Sequence, residues 1–177
     1  SKDQNWVLRN RYTIQYNCNS FDSIATSDSV RRDASKIYKF LLNFNSSLPQ
    51  KDKITSLIVE RGKYSGEYKS FPEGIYRCFL EGLYLCNYEF NRHKTNHKTT
   101  KLNIQSTIEK ESEAAISGNH IARDLVNEPL SHLTAVKLSS IIKKLGKEAG
   151  FEVEVLDEKS IKSLKMGGLL SVNKGSI

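Results

Sequence analysis

The chain has little of what would mark several function classes. Its cysteines number only three, Cys18, Cys78 and Cys86, an odd and sparse set. That argues against a disulfide framework and for a reducing compartment, so a cytoplasmic location is expected. No apolar run approaches the roughly 20 residues that would span a bilayer; even Ile161 to Val172 is broken by Lys162, Ser163 and Lys165. The start, Ser1-Lys2-Asp3-Gln4-Asn5, is polar and has no apolar core segment, so a secretory leader is not expected either. Internal repeats and low-complexity tracts are missing. So are a phosphate loop and a dinucleotide fingerprint, because Gly62-Lys63-Tyr64-Ser65-Gly66 lacks the spacing that wraps phosphate.

What is there suits a soluble globular protein: 177 residues, 38% hydrophobic and 27% charged. The net charge of +7 is uneven. Residues 1–100 carry 16 Lys+Arg against 10 Asp+Glu (+6), whereas residues 101–177 carry 11 against 10 (+1). A basic first half could attract nucleic acid or an acidic partner. Its positive residues are scattered, however, and do not line one helix face with interleaved aromatics. Generic surface charge is therefore the favoured reading.

Periodicity predicts an alternation of strands and helices. Trp6-Val7-Leu8 and Tyr12 to Tyr16 read as extended, followed by an Asn/Ser/Asp-rich loop from Asn17 to Ser29. Asp28 or Ser29 could cap a helix to about Phe44, with Val30, Ala34, Ile37, Tyr38, Leu41 and Leu42 on its inner side. Ile54 to Val59 reads as a buried strand. A second helix is expected from Pro72 or Glu73 to about Tyr88, built on Ile75, Phe79, Leu83 and Leu85. Asn91 to Asn103 reads as a basic linker, with a short strand or turn at Leu102-Asn103-Ile104. Thr107 could cap a long helix to about Asn127, with Ile108, Ala115, Ile116, Ile121, Ala122 and Leu125 facing inward and Glu109, Glu111 and Glu113 in its first turns. Thr134 is expected to open a further helix closed by Gly150. A half-covered strand Glu152 to Leu156, a helix capped by Asp157 and a last strand Leu169 to Val172 complete the prediction. Those last strands carry apolar faces with nothing to cover them, so a missing partner segment is expected.

Candidate chemistry is thin. Cys86, His93 and His97 form Cys-x6-His-x3-His, but a structural zinc needs four ligands from close pairs, and Cys78 is eight residues from Cys86. Polar surface histidines after a core helix are the favoured reading. None of the three cysteines sits on a recognisable nucleophile turn. Gly167-Gly168 reads as a close-approach turn into a strand. Asn127-Glu128-Pro129 reads as a helix end whose side chain completes the backbone hydrogen bonds.

The order of short segments in the last third is more telling. Ala122-Arg123-Asp124-Leu125-Val126-Asn127-Glu128-Pro129 is followed by His132-Leu133-Thr134, by Gly150 through Asp157, and by Met166-Gly167-Gly168-Leu169-Leu170-Ser171-Val172-Asn173-Lys174-Gly175-Ser176. Upstream stand Phe71-Pro72-Glu73-Gly74-Ile75, Glu81-Gly82-Leu83-Tyr84-Leu85, Tyr88-Glu89-Phe90 and Lys94-Thr95. Together these resemble the cytosolic leucyl aminopeptidase family, hexameric two-metal peptidases, over about half of the chain; residues 1–60 add nothing specific. The family usually has Pro where Ala135 stands, Asn near His132, and Met-Gly-Ala where this chain has Met166-Gly167-Gly168. These departures touch packing and turns.

The resemblance implies an α/β fold: an N-terminal three-layer macro-like domain (1–103), a long connecting helix (104–127), and the first helices and strands of an α/β peptidase domain (128–177). It implies, for the full-length enzyme, two divalent metal ions (Zn or Mn), peptide substrates and a hexameric homo-oligomer. The family's metal-binding and catalytic motifs lie downstream of Gly175-Ser176. No catalytic, cofactor-binding or metal-binding residue is therefore carried over, and these residues alone are expected to be inactive. The alternative is a stand-alone non-catalytic module that binds a protein partner or nucleic acid through its basic N-terminal half.

Overall fold

The apolar stripe Val30, Ala34, Ile37, Tyr38 and Leu41 repeats every three to four residues, so one helix face can be wholly withdrawn from water. In the computed structural model, which describes residues 6–10, 13–16, 24–60 and 73–175, all five are buried. They lie on α1 (Ile24–Ser47). Before it, β1 (Trp6–Asn10) and β2 (Thr13–Tyr16) pair antiparallel, with an irregularity between Leu8 and Asn10. The loop expected to reach Ser29 gives way to helix from Ile24, and the helix also runs past Phe44 to Ser47. The rest of that loop, together with Cys18, Gly62 to Gly66, Phe71-Pro72 and Ser176, lies outside the described residues.

After a short 3-10 turn at Gln50–Asp52 come β3 (Ser56–Ile58) and α2 (Glu73–Cys86), then β4 (Asn103–Gln105). β3 and β4 pair in parallel, Leu57 opposite Ile104. A parallel pair needs a long crossover, and α2 lies within it. One core joins the layers: Ala34, Ile37, Tyr38 and Leu41 of α1 meet Leu83 of α2 and Leu102, with Leu57 and Ile104 packed against them. A second cluster gathers Val30, Ile75 and Cys78. Gly82 lets the two helices approach closely, since a Cβ there would stand 2.7 Å from the Arg31 carbonyl oxygen and 2.8 Å from the Ala34 Cβ.

Both strands are entered through an asparagine. Near the end of α1, Asn45 donates from Nδ2 to the Ile54 carbonyl (2.8 Å) and accepts from the Ile54 N–H (2.7 Å). Just after α2, Asn87 does the same for Leu102, at 2.8 Å and 3.2 Å. Each carboxamide stands in for a neighbouring strand, satisfying backbone groups that burial would otherwise leave unpaired. Tyr84 adds a further tie, its hydroxyl donating to the carbonyls of Ile104 and Ser106.

The long helix α3 spans Lys110–Asn127, with Glu111 and Glu113 in its first turn. It begins after Thr107, not at it. Its inner face also departs from the apolar expectation. Ser112 and Ile116 are buried, His120, Ile121, Asp124 and Leu125 are half-buried, and Ala115 and Ala122 are exposed. The residues four apart that face α2 are thus mostly polar, and they are held by specific partners. Ser112 donates to Glu81 at 2.6 Å, and Glu81 also receives the Arg31 guanidinium at 2.7 and 2.9 Å.

The chain divides into two compact units, residues 1–127 and 128–177. The second holds α4 (Ala135–Ala149), α5 (Glu158–Ser163), α6 (Gly167–Val172) and a 3-10 turn, Asn173–Gly175. Its helix ends follow the sequence closely. Thr134 accepts from the Lys137 N–H, Gly150 takes a left-handed φ of 79°, and Asp157 accepts from the Ser160 N–H. The two strands expected here are not present: Glu152 to Leu156 has no assigned secondary structure, and Leu169 to Val172 is helical. A strand must exchange hydrogen bonds with a neighbour, and the described residues of this unit offer none. A helical turn satisfies its own backbone instead. Gly167-Gly168 accordingly starts α6 and does not turn into a strand. Overall the chain is mostly helical with a small parallel sheet, an α/β architecture.

Candidate functional site

The densest polar cluster lies where α3 meets the end of α2 and the segment that follows. His120, Arg123, Asp124 and Asn127 fall on one side of α3, at the three- and four-residue spacings that bring helical neighbours together. Tyr88 is their common partner. Its hydroxyl donates to Asp124 Oδ1 at 2.8 Å and accepts from Asn127 Nδ2 at 3.2 Å. The His120 ring lies 5.3 Å from the Tyr88 ring, and the Arg123 guanidinium sits 5.1 Å from its centroid. Arg123 also donates to the Leu85 carbonyl (2.7 Å), and Arg92 pairs with Asp124 at 2.7 Å. Burial first, then the neighbouring Asp124 carboxylate, raises the Tyr88 hydroxyl above its ordinary range, although Asn127 and Arg123 work in the opposite direction.

Next to it, Glu89 organises the basic segment that follows. It accepts from Asn91 Nδ2 (2.9 Å), Thr99 Oγ1 (2.9 Å), the Thr100 N–H (2.9 Å) and the Thr100 hydroxyl. Burial opposes its charge, but the hydrogen bonds from Thr100, Thr99 and Asn91 outweigh it and hold the carboxyl at about 2. The expected linker is thus a loop fastened by one carboxylate.

The candidates singled out in the sequence do not converge. Cys86 is half-buried against the main core, His93 leans on Phe90, and His97 stands 3.7 Å from Glu89. Cys78 is buried in the second apolar cluster. Among the described residues no three His, Cys, Asp or Glu side chains gather as metal ligands. Asn127 ends α3, but its side chain reaches Tyr88, not a backbone carbonyl; the turn after it is closed by the His132 and Leu133 N–H groups on the Pro129 carbonyl. An open cleft lined by Arg31, Glu81, Ile116 and Asn119 lies among α1, α2 and α3. Its two charged members already face each other. Tyr88, Glu89 and Asp124 stand in segments that carry the family resemblance, but their contacts were hidden, because a single tyrosine or carboxylate carries no spacing signal until the fold supplies its partners.

Comparison with known proteins gives the fold its context. Residues 120–177 match the cytosol aminopeptidase family, catalytic domain. A probable cytosol aminopeptidase of Chlorobaculum parvum is 57% identical over 60 residues, covering 34% of this chain and 12% of that protein. Its counterpart in Aquifex aeolicus is 32% identical over 161 residues, covering 84% of this chain and 29% of that protein. One from Chloroherpeton thalassium is 41% identical over 81 residues, covering 44% and 16%. The chain thus spans less than a third of the length of these curated relatives. No solved structure matches it. The class defined here is an α/β chain that carries part of a peptidase catalytic domain. The chain belongs to the cytosol aminopeptidase family. No described helix is long and apolar enough to cross a membrane.

Proposed function

We propose that this chain is the N-terminal portion of a metal-dependent leucyl aminopeptidase, which releases N-terminal amino acids from peptides by two-metal hydrolysis. The match of residues 120–177 to the catalytic domain carries the reading. In it, residues 1–103 form an N-terminal macro-like α/β domain, 104–127 a connecting helix, and 128–177 the beginning of the catalytic domain. The division into compact units after Asn127 supports the last boundary. The full-length protein is a cytoplasmic hexamer that holds two divalent ions, zinc or manganese. Paired ions suit the reaction, since one polarises the carbonyl while both make bound water a nucleophile at neutral pH.

The described residues bring no three ligand-type side chains together, so they do not fit a two-metal site and no step of hydrolysis is assigned to them. What they supply is the body on which the catalytic region is built. The exposed apolar side chains of residues 128–172, among them Phe151, Val155, Leu164 and Leu169, support a larger domain that would cover them.

The test is to sequence the reading frame past Ile177 and assay the encoded protein on leucyl peptides with and without a chelator. A continuing frame with a Gly-Lys-Gly segment, spaced aspartates and an Asn-Thr-Asp-Ala-Glu-Gly-Arg-like run, together with chelator-sensitive activity absent from residues 1–177, is expected. A stop codon directly after Ile177 would overturn the enzyme reading and leave a binding module.

A further inference from the structure

His120 occupies an unusual place in the polar cluster on α3. Its Nε2 is buried from solvent and has no hydrogen-bond partner. The neutral ring carries its proton at least cost on Nδ1, because an Nε2–H would have no acceptor; the Tyr84 backbone on α2 works the other way from burial and favours the charged ring. A neutral ring tolerates this arrangement, because an unpaired imidazole acceptor against the Tyr88 ring loses one hydrogen bond and no more. A protonated ring does not. Its Nε2–H would be a charged donor with neither water nor acceptor in reach.

The groups around the ring strengthen that asymmetry. From α3 itself come the Arg123 cation and the Asp124 carboxylate, and from the segment before β4 comes the Lys101 cation. Tyr84 and Tyr88 are neutral. Of these charges, Arg123 and Lys101 oppose a second cation, while the Asp124 carboxylate is already engaged by Tyr88 and Arg92. Burial, then Arg123 and Lys101, depress the imidazole below its ordinary 6.5.

We propose that His120 makes the attachment of the C-terminal half of α3 to the α2–Tyr88 segment pH-dependent, with the neutral ring seated and the protonated ring released. The direction follows from linkage. The released state binds the proton more tightly than the seated one, so the attachment is intact above about pH 6.5 and weakens as pH falls below it. One proton limits the slope to at most a tenfold rise in the opening equilibrium per pH unit. His120 is also the first of the residues that match the catalytic domain. This inference stands on the geometry of residues 84–127 and is independent of the aminopeptidase reading.

The experiment uses the chain of residues 1–177. Backbone amide exchange of residues 117–127, corrected for intrinsic rates, is followed from pH 7.5 to 5 in the wild type and in His120→Gln, whose side chain cannot gain a charge. Wild-type protection in this stretch is expected to fall several-fold toward pH 5, by no more than tenfold per unit, while the variant stays flat. An equal fall in both would overturn the proposal. Should the variant fail to fold, the NMR titration of His120 in the wild type decides instead. A midpoint below 6.5 with coincident shifts at Tyr88 and Arg123 is expected, and a midpoint at or above 6.5 overturns the proposal.

Discussion

The two units are organised by different means. Residues 24–127 bury eleven apolar side chains, from Val30 to Ile116, and add paired polar groups where buried backbone needs them. Residues 128–174 bury only Gly146, and most of their large apolar side chains face solvent, with Val172 86% exposed. The helices of the second unit are nevertheless well formed at their ends, where Thr134, Gly150 and Asp157 cap them. Local chemistry is therefore enough to start and stop a helix, but it does not supply a core. Helices of six residues such as α5 and α6 fall well below the ~12–15 at which even good helix formers hold alone in water, so something beyond local preference must support them.

The largest expected contrast comes from separating the units. Residues 1–127 alone should keep a cooperative thermal transition by circular dichroism, whereas residues 128–177 alone should lose most of their helical signal. A cooperative transition in the isolated 128–177 segment would erase the distinction. Next come paired truncations. Leu83→Ala empties a wholly buried site and should cost about 2–5 kcal/mol in urea unfolding. Leu169→Ala, at a position 59% exposed, should stay within ~0.5 kcal/mol.

A finer contrast uses the two tight glycines. Gly82→Ala drives a methyl group into the α1 backbone at Arg31 and should cost about 1–3 kcal/mol of global stability. Gly146→Ala meets the Val153 Cγ2 at 2.5 Å and the Phe151 carbonyl at 2.8 Å. It should displace residues 151–153 and raise amide exchange there, leaving the global transition of the first unit where it was.

The last contrast is electrostatic. Glu89 is held at about 2, below its ordinary 4.5, so its clasp on Thr99 and Thr100 contributes stability above pH 4.5 and loses it as pH falls from 4.5 toward 2. Glu89→Gln should flatten that part of the acid unfolding profile. An unchanged profile would show the clasp to be passive.

Much of this was legible from residue spacing, and the exceptions have physical reasons. The α1 stripe was plain because five apolar residues at helical intervals were all buried, four in the main core and Val30 in the second cluster. The caps at Thr134, Gly150 and Asp157 were plain because each solves a purely local hydrogen-bonding problem. Leu169 to Val172 misled because a short apolar run fits a buried strand and a helical turn equally well, and only a neighbouring strand could decide between them. The inner face of α3 misled in another way. Ser112, His120 and Asp124 look like solvent-facing positions until Glu81 and Tyr88 appear as their partners. Asn45 and Asn87 gave no signal either, being polar residues near helix ends where such residues are common.

Those two asparagines also make the sheet vulnerable to chemical ageing. Hydrolysis of either side-chain amide, the slow fate of asparagine in long-lived molecules, would exchange its NH2 donor for a second oxygen. That oxygen would then face the Ile54 or Leu102 carbonyl, acceptor against acceptor. One atom changed at the mouth of either strand would therefore loosen the parallel pair from its entry inward, with every apolar side chain of the core left as it was.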